Sequence, residues 1–193
     1  SDLTMPNLSP PLLSLSRLRC HVLLRIVLML CLSGGAPLAS AQTTLEDAER
    51  GIALNNHGHA LAAQGRYAQA QQYYQQALPD LTASDARTQR NRAATLNNLG
   101  VALAQQGQLT AAAAAFDEAW TLRQQVLGTA AAPTLLSRHN LAVVLIGLQR
   151  DAEACTHMQA AWQGRLQLLG PQHADTQLSR GFIERLPACQ NPQ

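Results

Sequence analysis

The chain has 193 residues, 47% of them apolar and 4% aromatic, with 14 basic residues that are all Arg and a formal net charge of +2. That length and apolar content suffice for one domain with a buried core. With the three Arg and one Asp of residues 1–41 set aside, 11 Arg face 11 Asp and Glu; a neutral, evenly mixed surface disfavours nucleic acid or an anionic membrane as partner, since either calls for a basic patch.

Residues 1–41 differ in composition from everything after them. Arg17, Arg19 and Arg25 precede the apolar run from Ile26 to Leu32, Ser33, Gly34, Gly35 and Pro37 break it, and Ala39-Ser40-Ala41 stands just before Gln42. Basic region, apolar region and small-x-small site form the layout of a secretory signal peptide, and the apolar run is short of the roughly 20 residues a spanning helix needs. The expectation is a cleaved leader and an exported product, periplasmic or secreted. An uncleaved N-terminal anchor is the alternative, and a start at Met5 with a cytosolic product is a further one.

The remainder reads as helices. Thr43 and Thr44 before Glu46, Asp47 and Glu49 predict a capped helix start, with apolar positions at Leu45, Ala48, Ile52, Leu54 and Leu61 running to Gly65. A second helix opens at Arg66, keeps Ala70, Tyr74, Ala77 and Leu78 on one face, and stops at Pro79. A third is expected over about 85–106 and a fourth over about 109–127, with Gly107 between them and Gly128 as C-cap. A fifth has Pro133 in its first turn and runs to about Leu148; Asp151 is expected to cap a sixth that ends at Leu169 before Gly170-Pro171. A seventh, over about 174–186, is followed by Pro187 and a polar tail, 187–193.

These helices repeat. Gly58, Gly100 and Ala142 occupy equivalent places, so the period is 42 residues twice over, which marks an array of helix pairs. Leu54, Gly58, Leu61, Ala70, Tyr74 and Ala77 in the first copy return as Leu96, Gly100, Leu103, Ala112, Phe116 and Ala119 in the second. They return more loosely as Ala142, Leu145, Ala154, Met158 and Ala161 in the third. This unit resembles the tetratricopeptide repeat in its 42-residue, kinesin-light-chain-like variety, whose extended linker is matched by residues 168–176. The resemblance covers residues 45–186 and implies an all-α solenoid: a right-handed superhelix of antiparallel pairs, with repeats over about 45–84, 85–128 and 129–170 and a cap helix over about 174–186. Three departures stand out: His57 and Arg138 at usually apolar positions, and Gln149-Arg150 where a glycine turn belongs, so that the third turn is expected to be altered.

Each pair buries its apolar stripe only against its neighbours, which leaves a concave face lined by the first helices and suited to an extended peptide or a partner's helix. The resemblance places ligand contacts at Asn55, Asn56, Asn97, Asn98, His139 and Asn140, and one turn further along at His59, Val101 and Val143. An Asn carries donor and acceptor, so Asn56, Asn98 and Asn140 could bond a peptide backbone without demanding one side chain; bonding to a neighbouring helix is the structural alternative. Asn55 and Asn97 are expected to be exposed. The groove has no Lys or Arg to clamp a ligand carboxylate. The function expected is a non-catalytic interaction module for a protein or peptide, with an oligomerising assembly subunit of a cell-envelope complex as alternative.

No metal, cofactor or catalytic site is expected. His57 and His59 are two residues apart and point to different sides of a helix, whereas metal-binding pairs on a helix need spacings of three or four. His139, His157 and His173 have no carboxylate or thiol at motif spacing, and no nucleophile with a base, phosphate loop or paired-carboxylate cleft is present. Cys155 and Cys189 would be the two cysteines left after removal of the leader. The fifth and seventh helices run parallel and end on the same side, which brings Cys189 towards Cys155. Either a disulfide closes a loop of about 34 residues, or Cys155 is buried and Cys189 free.

Overall fold

A computed structural model of the protein describes residues 36–190, with side chains at Gln42 and from Thr44 onward. The helices are α1 Ala36–Ala63, α2 Tyr67–Ala77 with a 3₁₀ turn at Leu78–Asp80, α3 Ala86–Gln105, α4 Leu109–Leu127, α5 Ala132–Gly147, α6 Asp151–Leu169, α7 Ala174–Arg185 and the short α8 Pro187–Gln190. Among the described residues there is no strand. Contacts divide the chain into units 1–43 and 44–193, and the expected leader lies outside the described residues except for its last six, which are helical. No helix among the described residues is long and apolar enough to cross a membrane.

In the unit from Thr44 each helix packs on its sequence neighbours, α3 on α2 and α4, α5 on α4 and α6, α7 on α6. The cause is the small-residue rule visible in the sequence. A Cβ added at Gly58 would lie 2.7 Å from Cε1 of Tyr74, and one at Gly100 would lie 2.8 Å from Cδ1 of Phe116. The glycines therefore let an aromatic of the second helix seat on the backbone of the first. In the third pair the same places hold Ala142 and Met158, both fully buried. The core runs on through Leu61, Leu99, Leu103, Leu141, Leu145 and Cys155.

Four expectations are corrected. The first helix starts at Ala36 instead of near Leu45, so Thr43 and Thr44 lie inside it; Ala36, Ala39 and Ala41 are strong helix formers, and Pro37 is tolerated in a first turn. The third turn is not altered: Gln149 takes φ 61° where Gly65 and Gly107 take 75° and 74°, and Arg150 N–H bonds the Leu145 carbonyl as Gln108 bonds Leu103. A left-handed non-glycine residue costs roughly 1 kcal/mol, small beside the packing on both sides. Asp151 is the first residue of α6, and Arg150 holds the N-cap position without a side-chain capping bond. Residues 187–190 are not tail: Pro187 opens α8, which packs on α6 and α7.

The cap is fastened twice. Leu186 is buried, and Cys155 is joined to Cys189 by a disulfide with Cα atoms 5.3 Å apart. The unusual polar positions are also accommodated: the His57 ring stacks on Tyr73 at 4.6 Å, and the Arg138 guanidinium sits over Trp120 at 5.2 Å.

Candidate functional site

Helices α1, α3, α5 and α7 are the first members of their pairs. Residues four and seven apart share a helix face, so one stripe per helix can be read off: Ile52, Asn56, His59; Ala94, Asn98, Val101; Leu136, Asn140, Val143; and Leu178, Phe182, Arg185. Asn56 and His59 are exposed, while Asn98, Val101, Asn140 and Val143 are half-buried. Leu136 and Leu178 are 40% and 49% exposed, two of the few large apolar side chains left in water, and they hold the same place in adjacent repeats. Sequence reading missed both. The signal available was their position four residues before Asn140 and Phe182.

The first Asn of each pair behaves differently from expectation. Asn97 and His139, predicted to lie open to a ligand, are each only 5% exposed, because this position turns towards the next repeat. Asn55, also expected to be exposed, is half-buried. Asn55 Oδ1 accepts from Nδ2 of Asn98 at 3.2 Å, and Asn97 Oδ1 accepts from Nδ2 of Asn140 at 3.4 Å. Asn98 and Asn140 are thus each tied to an amide one repeat earlier, half-buried at Asn55 and buried at Asn97. At the third junction the partners change together: His139 meets the edge of the Phe182 ring at 5.6 Å.

Behind these pairs lie two buried arginines that the sequence reading did not single out. Arg123 Nη1 donates to the Pro133 carbonyl at 2.8 Å and to Ser137 Oγ at 2.7 Å, and Ser137 bonds Asn97 Oδ1 at 3.0 Å. One period on, Arg165 Nη1 donates to the Asp175 carbonyl and to Ser179 Oγ, which lies 3.1 Å from His139 Nδ1. These groups hold the linker of each long repeat against the next first helix. Neither arginine has a carboxylate partner among the described residues, and burial lowers the Arg123 guanidinium to about 10. Burial likewise pushes His139 down to about 4, helped by Arg165 and opposed by Asp175. The first junction lacks the arginine: fully buried Leu81 stands there, and Thr95 turns its hydroxyl to the Asn91 carbonyl.

Away from this face, a depression between α4, α5 and α6 is lined by Asp117, Leu141, Leu145, Glu153 and His157. Burial lowers the pKa of His157, with Arg138 adding to it, and the ring meets Trp120 edge-on at 5.2 Å. Among the described residues no group of three or more His, Cys, Asp or Glu is placed to hold a metal ion.

Two family models described as tetratricopeptide repeat match the chain, over residues 49–125 and 134–175. The chain belongs to the tetratricopeptide repeat (TPR) family. Its fold is similar to that of a Podosopora anserina protein named as a kinesin light chain with nearly identical TPR-like repeats: TM-score 0.62 at 16% identity, covering 72% of this chain and 65% of that one. It is also similar to BtubC (BKLC) from P. vanneervenii: TM-score 0.61 at 17% identity, covering 80% of this chain and 65% of that one. The TPR chain thus spans just under two thirds of each. No curated protein sequence gives a match. The repeats indicate that this chain carries a protein–protein interaction module, and TPR arrays are typically non-catalytic scaffolds.

Proposed function

We propose that this TPR chain is a non-catalytic binding protein that holds an extended polypeptide segment along the face of α1, α3, α5 and α7. The observation that carries the reading is the repetition on that face: half-buried amides at Asn98 and Asn140, one period apart, beside Val101, Val143 and the exposed Leu136 and Leu178. Such a surface offers backbone hydrogen bonds at each repeat and apolar contact between them, which is how extended peptides are gripped. Asn55, Asn97 and His139 act from behind, by orienting neighbours, while Asn56 and His59 extend the exposed face towards the first repeat.

The experiment is capture of partners by the full-length chain, followed by titration of the captured partner with wild type and with Asn98→Ala/Asn140→Ala. Loss of one good hydrogen bond per amide weakens binding by about tenfold or more in the double variant, with melting temperature little changed. Unchanged affinity refutes the groove, and a parallel loss of fold and affinity assigns the amides to structure alone. The reading extends to an oxidising compartment, supported by the leader-like residues 1–41 and the Cys155–Cys189 pair. Thiol counting on natively produced protein without reductant checks it, two free thiols being the refuting result.

A further inference from the structure

The two amide pairs on this face differ in what fixes them. A guanidinium donates and cannot accept, so Ser137 Oγ, 2.7 Å from Arg123 Nη1, must accept there. Its one proton goes to Asn97 Oδ1 at 3.0 Å. The same oxygen faces Asn140 at 3.4 Å, so Asn140 has to present Nδ2. Bonded in this way, Arg123, Ser137, Asn97 and Asn140 form one directed chain, and three of the four residues are buried.

One repeat earlier nothing imposes a direction. Leu81 replaces the arginine, Thr95 spends its proton on the Asn91 carbonyl, and Asn55 and Asn98 are paired at 3.2 Å in a contact that either orientation of both amides satisfies. One repeat later Arg165 donates to Ser179, whose Oγ lies 3.1 Å from His139 Nδ1, but Phe182 takes the place of the facing amide.

We infer that Arg123 is a positioning residue for the binding face: through Ser137 and Asn97 it holds the Asn140 amide with its nitrogen inward and its oxygen left for a ligand N–H. The rung at Asn140 thus turns its oxygen to a ligand donor, whereas at Asn98 oxygen or nitrogen can face the ligand. This rests on the groove reading above and favours a ligand segment with a free backbone N–H opposite Asn140; proline or an N-methylated residue at that place loses that bond and binds more weakly.

The test is side-chain amide NMR on the ¹⁵N-labelled full-length chain, without ligand, comparing wild type with Arg123→Leu/Ser137→Thr. That variant reproduces Leu81 and Thr95, a packing the fold already uses at its first junction. In wild type the Asn140 Nδ2 protons exchange with water about tenfold more slowly than those of Asn98, the factor expected for one fixed hydrogen bond; in the variant the two rates converge. Retained protection of Asn140 in the folded variant overturns the inference. Should the variant not fold, equal rates for Asn98 and Asn140 in wild type overturn it as well. A fixed Asn140 amide together with unchanged partner affinity in Asn98→Ala/Asn140→Ala would defeat the groove and leave the orienting chain standing.

Discussion

Gly100→Ala is the sharpest test of how the repeat is held together. The new Cβ would stand 2.8 Å from both Cδ1 and Cε1 of Phe116 and 3.0 Å from Cγ, so it meets the ring face rather than the end of a flexible chain. Phe116 is 2% exposed and has nowhere to retreat. Overpacking of this kind typically costs 1–3 kcal/mol, while replacing a mid-helix Gly by Ala returns up to about 1 kcal/mol of propensity. The expected net is a destabilisation of about 1–2 kcal/mol, or a melting temperature lower by roughly 2–8 °C for a domain of this size. The third repeat supplies the remedy, because Ala142 and Met158 occupy the same two places, both with no exposed surface. Phe116→Met, an unbranched and adaptable side chain, should therefore make Gly100→Ala nearly harmless. Urea denaturation of the four proteins, followed by circular dichroism, gives the coupling. At least about 1 kcal/mol of non-additivity is expected for residues in contact. Additive effects, or a Gly100→Ala protein as stable as wild type, would refute the idea that close aromatic seating selects glycine here.

Two further outcomes follow from the cap. His139 is held below its ordinary 6.5, at about 4, first by burial and then by Arg165, so between those values the unfolded chain takes up a proton that the folded one refuses. Stability is thus full above about pH 6.5 and falls by up to ~3 kcal/mol towards pH 4; His139→Asn, the residue of the two preceding repeats, should flatten that slope in urea midpoints at about pH 7.5 and pH 4.5, and an unchanged slope would discount His139. Reducing the Cys155–Cys189 bond, which closes a separation of 34 residues, should lower stability by about 3–4 kcal/mol in the chain-entropy picture. Cys189→Ala should reproduce the loss and remove its dependence on reductant, and a melting temperature indifferent to reductant would count against the staple.

Much of the fold was legible along the chain because its determinants are local and periodic. Gly58, Gly100 and Ala142 recur at 42 residues, with Tyr74, Phe116 and Met158 following at the same period, and those residue types suffice to announce antiparallel pairs. The third turn shows the limit. Gln149-Arg150 read as a departure, yet neighbouring packing imposes the left-handed conformation that glycine adopts elsewhere. Helix α1 shows another, since capping residues at Thr43 and Thr44 were overridden by the helix-forming alanines before them.

The candidate face was only half legible. The sequence by itself determined that amides recur at Asn55-Asn56, Asn97-Asn98 and at Asn140, since that is a matter of spacing. Which of each pair faces out was decided by tertiary structure: helix rotation within the stack buries Asn97 and His139 and leaves Asn98 and Asn140 half-open. Tertiary structure alone also decided that Arg123 stands behind Asn97, because the chain of bonds from Arg123 through Ser137 to Asn97 and Asn140 joins residues 14, 40 and 43 positions apart. A hydrogen-bond chain has a direction set by where its protons can go, and that direction exists only once three helices are packed together.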